Sequence, residues 1–386
     1  MSSPLVEALS QVVSLPTAPF YEGRVQAFAR KWAAERGIPL SEDPHGNLLL
    51  RWAKSTGPAL AFVAHMDHPG LEVMPGQGRV AARVFGGLGP RDLTGTPVRV
   101  FGKEEVRARV AEDSRRVEPG RGRSVSLDVE APITARTFGM WDLKPFALSR
   151  GMVRARVIDD LAGVAAILAL FARLAERDVE ASVYGLLTRA EEVGFIGAHA
   201  LARTGLLPRE VPVISIEMSR ALPLAEQGKG FVVRVGDRLT LFDPDLTQYM
   251  IEVAGSIAAR EKTFAHQKRI LDGGACEASL FRQMGHRVGG LAVPLGNYHN
   301  LGRTGIAPEN IALADYESLV RFLEVLAADY ARGGEAEARL RVRDRVLAGY
   351  DAFSDRMAPS PRRRRATPRR RVREGALNRR RTGGRA

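Results

Sequence analysis

Ala59-Leu-Ala-Phe-Val-Ala-His65-Met-Asp67 is an unbroken apolar run that stops at a histidine and an aspartate two residues apart. A short run of this kind fits a strand buried on both faces of a parallel sheet. Residues two apart on a strand share a face, so the His65 and Asp67 side chains can point the same way. In open α/β sheets the ligand crevice lies beyond the carboxyl ends of the strands. Working outward, the same arrangement recurs. Val183–Thr188 runs toward Glu191-Glu192, Val211–Ile216 runs into Glu217, and Leu291–Leu295 stops shortly before His299. Asp159-Asp160 stands just ahead of an apolar stretch with helical spacing, Leu161 to Phe171. Five segments thus bring two histidines and several carboxylates to one sheet edge, which is the ligand supply of a two-metal hydrolase site.

Each piece also has a plainer reading. His65 and Asp67 fit a turn with a capping aspartate. They also fit a metal-bound imidazole whose second N–H is held by a carboxylate. Asp159 fits a helix N-cap, or a carboxylate reaching out to bridge two cations, with Gly163 permitting close backbone approach. Glu191 and Glu192 fit a solvated pair. They also fit a division of labour, in which one residue ligates and the other takes protons from water. Glu217 ends its strand, and a carboxylate against an apolar run needs a partner, for which Arg220 is the near candidate. His68, His199, His266 and His286 lack such settings and read as structural or surface histidines.

The texture of the chain divides it. Residues 1–71 and 151–331 alternate strand and helix patterns and form the expected catalytic α/β domain. Residues 72–150 carry short alternating runs punctuated by glycine, the signature of a small all-β insert. A C-terminal helix is expected over 332–355, and an arginine-rich tail over 356–386. The tail holds 13 arginines against the single acid Glu374, so it carries +12 of the chain's net +13. A segment so charged and so poor in apolar residues is expected to be disordered. It suits weak contact with nucleic acid or another polyanion, because arginine releases counterions from phosphate. No aromatic lies among these arginines, so base stacking is not expected. In 386 residues there is a single cysteine, Cys276, which excludes an internal disulfide and fits a reducing compartment. The N-terminus has no basic segment before an apolar one, and no run is long enough to span a bilayer. No signal peptide and no membrane are expected, and the location expected is cytoplasmic.

The ordered set His65-Met-Asp67, Asp159-Asp160, Glu191-Glu192-Val-Gly-Phe-Ile-Gly-Ala, Glu217 and His299 resembles the tetrahedral and glutamyl aminopeptidase family of di-metal exopeptidases, over about residues 1–330. Gly228-Lys-Gly230 followed by Arg234-Val-Gly-Asp237 adds to the likeness. The resemblance implies an α/β fold: a three-layer phosphorylase/hydrolase-like catalytic domain with a mixed sheet, interrupted by a small β-barrel insert. It implies two divalent metal ions per chain, zinc first, with cobalt or manganese as alternatives. In that scheme Asp159 bridges the ions, His65 and Glu217 hold one, and Glu192 and His299 hold the other. Glu191 becomes the general base and Asp67 orients His65. Peptides are the implied substrates. A homo-oligomer is the implied assembly, often a dodecamer in a tetrahedral shell, with contacts carried by the insert. The chain departs from the family's usual pattern at Glu217, where aspartate is commoner, and at Leu161, where arginine is usual. It departs again at Ala275-Cys276-Glu277 and at Asn300. Two other functions stay open on the residues alone: a metal-dependent deacylase or amidohydrolase of small N-acyl substrates, and a non-catalytic polyanion-binding protein acting through the tail.

Overall fold

Strand β3 (Leu60–His65) is buried at every residue, and its side chains part between two cores. Leu60, Phe62 and Ala64 face one hydrophobic cluster, while Ala61 and Val63 face another. That division requires helices on both faces of the sheet, and it gives the molecule its three layers. The computed structural model describes residues 3–118 and 120–356. Before β3 come α1 (Pro4–Val13), α2 (Gly23–Glu35), β1 (Leu40–Glu42) and β2 (Leu48–Ala53). After it come β4 (Gly70–Val73), β5 (Arg79–Phe85), β6 (Pro97–Phe101), β7 (Glu105–Glu118), β8 (Gly122–Val129) and β9 (Thr137–Trp141). Then follow β10 (Phe146–Ser149), β11 (Met152–Ala155), α3 (Leu161–Glu176), β12 (Ser182–Thr188), α4 (Ile196–Thr204) and β13 (Val213–Arg220). The remainder is β14 (Phe231–Asp237), α5 (Pro244–Ala258), β15 (His266–Leu271), α6 (Glu277–Gln283), β16 (Val288–Leu295), β17 (Glu309–Ala312), α7 (Leu313–Ala331) and α8 (Gly334–Phe353).

The large sheet has the order β1-β2-β12-β3-β13-β16-β14-β15. Its centre, β12-β3-β13-β16, is parallel, and the β1, β2 and β14 pairings make the whole sheet mixed. β3 lies between β12 and β13, so the chain leaves to opposite sides around it, the switch point at which α/β sheets open a crevice. Helix α3 buries Leu161, Val164, Ile167, Leu170, Phe171 and Leu174 against the larger core. Each such side chain stabilises the fold by about 1.5–3 kcal/mol. Strands β4 to β9 close into a barrel in the order β4-β5-β8-β7-β6-β9 around its own core, which includes Leu71, Val98, Leu127 and Trp141.

Several details differ from the sequence reading. The barrel strands run from Gly70 to Trp141, while β11 pairs with β10 on one side and β17 on the other in a separate three-stranded sheet. Residues near 146–155 therefore do not belong to the barrel. β13 does not end at Glu217 but continues to Arg220, paired in parallel with β16 through Leu295. The cap of α3 is Asp160 and not Asp159: its Oδ1 accepts from Gly163 N at 3.2 Å. The chain divides into two compact units at Leu340, so the C-terminal part of α8 stands in the second. Residues 357–386 lie outside the described residues, and with them nearly all of the arginine-rich tail. Among the described residues no helix is long and apolar enough to cross a membrane.

Candidate metal centre

The parallel strands deliver their carboxyl ends side by side, and His65 is level with Thr188 across the β3–β12 ladder. The sequence-predicted residues come together there. His65 Nε2 lies 3.8 Å from Asp159 Oδ1, 3.8 Å from Glu191 Oε2 and 4.0 Å from Glu217 Oε2. His299 Nε2 lies 3.2 Å from Glu192 Oε1 and 3.6 Å from Asp159 Oδ2. The two oxygens of Asp159 thus face two different imidazoles. The Asp159-Asp160 peptide is cis.

Backbone and side-chain contacts fix this arrangement. His65 Nδ1 lies 3.2 Å from the Asp67 carbonyl and 3.4 Å from Asp67 Oδ1. The Asp67 carboxylate also accepts from the backbone N–H of Glu191 at 2.9 Å and of Glu192 at 3.1 Å. It ties the end of β3 to the turn after β12, and those two hydrogen bonds send the adjacent glutamates to different partners. Asp160 Oδ2 accepts from His65 N at 3.3 Å while Oδ1 caps α3, which leaves Asp159 to face the crevice. The expectation that Arg220 partners Glu217 fails. The Arg220 guanidinium lies 5.2 Å from the Tyr298 ring centroid. Glu217 Oε1 accepts from Ser215 Oγ at 3.3 Å, and the nearby buried cation is Arg234.

Sequence reasoning missed several residues. Glu309 holds the backbone of Ile158, Asp159 and His299. His68 is buried and bridges the Asp159 carbonyl (2.6 Å) and Asn300 Oδ1 (3.0 Å). Glu277 is fully buried close by, and burial pushes its carboxyl up to about 8. Glu309 had no signal in the sequence, because its partners are backbone groups of distant segments. His68 read only as a structural or surface histidine, and Glu277 only as part of a departure from the family pattern.

Burial and mutual repulsion set the electrostatics of the cluster. Burial pushes the carboxyls of Asp159, Asp160, Glu191 and Glu217 upward, and neighbouring carboxylates add to the shift. Burial also raises Glu192, but His299 outweighs it and holds Glu192 at about 2. For His299, burial lowers the pKa, and Glu192 and Asp159 overcome that to raise it to about 9. His65 is raised well above its ordinary value by Glu191 and Asp67, against the effect of burial. So much buried negative charge calls for a cation. Asp159 Oδ1 is buried with no hydrogen-bond partner among the described residues. His65/Asp159/Glu217, Asp159/Glu192/His299 and His65/Glu191/Glu192 each present three ligand atoms within 4.8 Å of one another. Imidazole and carboxylate suit zinc and its first-row neighbours. The residues fit divalent metal.

Fold and site together define a peptide hydrolase of the metal-dependent exopeptidase class. A family model for M42 glutamyl aminopeptidase matches residues 46–307, and the chain belongs to that family. Among solved structures, the PhTET1 dodecamer is 25% identical with a TM-score of 0.69, over 84% of this chain and 99% of that one. The Pyrococcus horikoshii TET1 peptidase, which can assemble into a tetrahedron or a large octahedral shell, is 24% identical with a TM-score of 0.69 over the same shares. A TET aminopeptidase from a marine sediment Thaumarchaeota archaeon is 18% identical with a TM-score of 0.73, over 87% of this chain and 100% of that one. Those last two likenesses are of fold.

Proposed function

We propose that this chain is a di-metal aminopeptidase that removes N-terminal residues from peptides, with Glu191 as its proton-transfer residue. The observation that supports this most is Asp159, whose two oxygens face His65 and His299 separately. On this reading His65, Asp159 and Glu217 hold one divalent ion, and Asp159, Glu192 and His299 hold the other. Zinc is the first choice, with cobalt or manganese as alternatives. When bound, such ions supply an acidified water and a polarised scissile carbonyl. The chain's own residues do the rest. Asp67 accepts from His65 Nδ1 and so turns the Nε2 lone pair toward the crevice. Glu191 lies outside the two ligand sets, and burial with the neighbouring carboxylates raises its pKa, so it holds a proton more readily than a free carboxyl does. Its carboxylate takes the proton of the attacking water and delivers it to the leaving amine as the C–N bond breaks. A homo-oligomer belongs to the same reading, with the PhTET1 dodecamer as precedent, and so does a cytoplasmic location.

The test is a panel of aminoacyl-anilides beside N-acylated amino acids, before and after chelation. Free-amine substrates should be cleaved, chelation should abolish the activity, and zinc, cobalt or manganese should restore it. Cleavage of the N-acylated set alone would make the chain a deacylase. Activity in protein that holds no metal would sink the metal reading. Glu191→Gln should lower kcat by about 10²–10⁴ with metal content unchanged, whereas Glu192→Gln should lower metal occupancy. If the two variants behave the other way round, the roles are reversed.

A further inference from the structure

Glu309 opens β17, is fully buried, and belongs to none of the three candidate ligand groups. Its Oε2 accepts from Ile158 N at 2.7 Å and from Asp159 N at 3.0 Å, and its Oε1 accepts from His299 N at 2.9 Å. One carboxylate therefore clamps the backbone of two segments that are distant in sequence. One segment carries the aspartate shared by both ligand sets, and the other carries the histidine of the second set. His299 needs such a clamp. Its backbone is left-handed (φ 55°, ψ 36°), and so is that of Asn297 and Asn300. Non-glycine residues keep that conformation only where their surroundings over-determine it. Here Glu309 fixes the His299 amide, and the Gly87 carbonyl lies 2.8 Å from His299 Nδ1.

The geometry points to Glu309 as a positioning residue that sets the placement of Asp159 against His299 and thereby the affinity of the site formed by Asp159, Glu192 and His299. The inference rests on the reading that this cluster holds metal ions. A carboxylate is suited to the task because both of its oxygens only accept. An amide of the same shape turns its NH₂ toward either His299 N or the Ile158 and Asp159 pair, so at least one buried N–H loses its acceptor. The side chain touches neither substrate nor reacting atoms, so its effect passes through the backbone.

The experiment is a metal titration of the full chain carrying Glu309→Gln, read by calorimetry and by the visible spectrum of bound cobalt. One of the two dissociation constants should rise by about 10–100-fold, as loss of a residue supporting metal ligands commonly does, and the cobalt spectrum of that site should change. The other constant should stay close to wild type. kcat should fall with little change in KM. Asp315 supplies the control. Its carboxylate clamps Gly228 N and Gly230 N at 2.7 Å each, and none of the three residues belongs to a candidate ligand group. Asp315→Asn should lower Tm and leave both metal constants unchanged. Two ions bound at wild-type affinity in Glu309→Gln overturn the inference, whatever happens to Tm. A wild-type chain that binds fewer than two ions overturns the reading of the site instead. If Glu309→Gln does not fold, Glu309→Asp, one methylene shorter, decides by the same titration: weakened binding supports the role and unchanged binding overturns it.

Discussion

His299 at about 9 and Glu192 at about 2 describe a cluster that, without metal, neutralises itself by pairing and by holding protons. Asp159, Glu191 and Glu217 are pushed upward and keep protons that free carboxyls would lose. Divalent ions bind the deprotonated ligands, so binding must expel these protons. The sign follows. Affinity rises with pH while the raised groups titrate, His299 at about 9 among them. Calorimetry of zinc binding in buffers of different ionisation enthalpy should show net proton release at neutral pH. Affinity that is flat from weakly acid to weakly alkaline pH would contradict the shifts. At this scale the ligand-type residues were legible because each stands where an apolar run stops. Glu309 and His68 were not, since a side chain that serves distant backbone groups leaves no periodicity behind. The choice between Asp159 and Asp160 was equally hidden. Two adjacent aspartates look alike until Gly163 N and His65 N claim one of them.

Gly185 shows how closely the elements beneath the site are set. It lies in β12 under α3, and a Cβ there would meet Ile167 Cγ2 at 2.8 Å and Phe171 Cε2 at 2.9 Å. Both side chains are fully buried, so neither can swing clear. Gly185→Ala should therefore destabilise the fold by about 1–3 kcal/mol, the usual range for overpacking. The expected readout is a Tm lower by a few degrees. Ile167→Ala, which removes the clashing Cγ2, should cost less stability in the Gly185→Ala background than alone, because the two sites share one contact. Additive losses would show that the contact is relieved elsewhere. The α/β alternation and the β insert were visible in hydrophobic period and glycine spacing. The true end of β13 was not, because Glu217 and Ser219 interrupt the apolar pattern while the backbone pairing with β16 continues. A strand end that borders a ligand crevice keeps polar residues within its ladder, and pattern reading stops too early there.

Charge separates the molecule at its largest scale. Residues 356–386 carry +12 and the remaining chain about +1, while every residue argued to build the site lies between His65 and Glu309. Chemistry at the site should therefore be indifferent to the tail. A chain ending at Asp355 should keep its metal constants and its kcat on small neutral aminoacyl-anilides. Light scattering should give the same homo-oligomer for both chains, because the assembly is attributed to the barrel within Gly70–Trp141. Polyanion binding is where the two should part. Full-length protein should bind a homopolymeric RNA with an affinity that falls steeply with salt, since each neutralised phosphate releases counterions, and the truncated chain should not bind it. Loss of hydrolysis on truncation would place the tail in the fold or the assembly. RNA affinity that survives truncation would place the binding surface on the near-neutral remainder, where the basic side chains that pair with acids, such as Arg79 with Asp128 and Arg30 with Glu42, have less charge to offer.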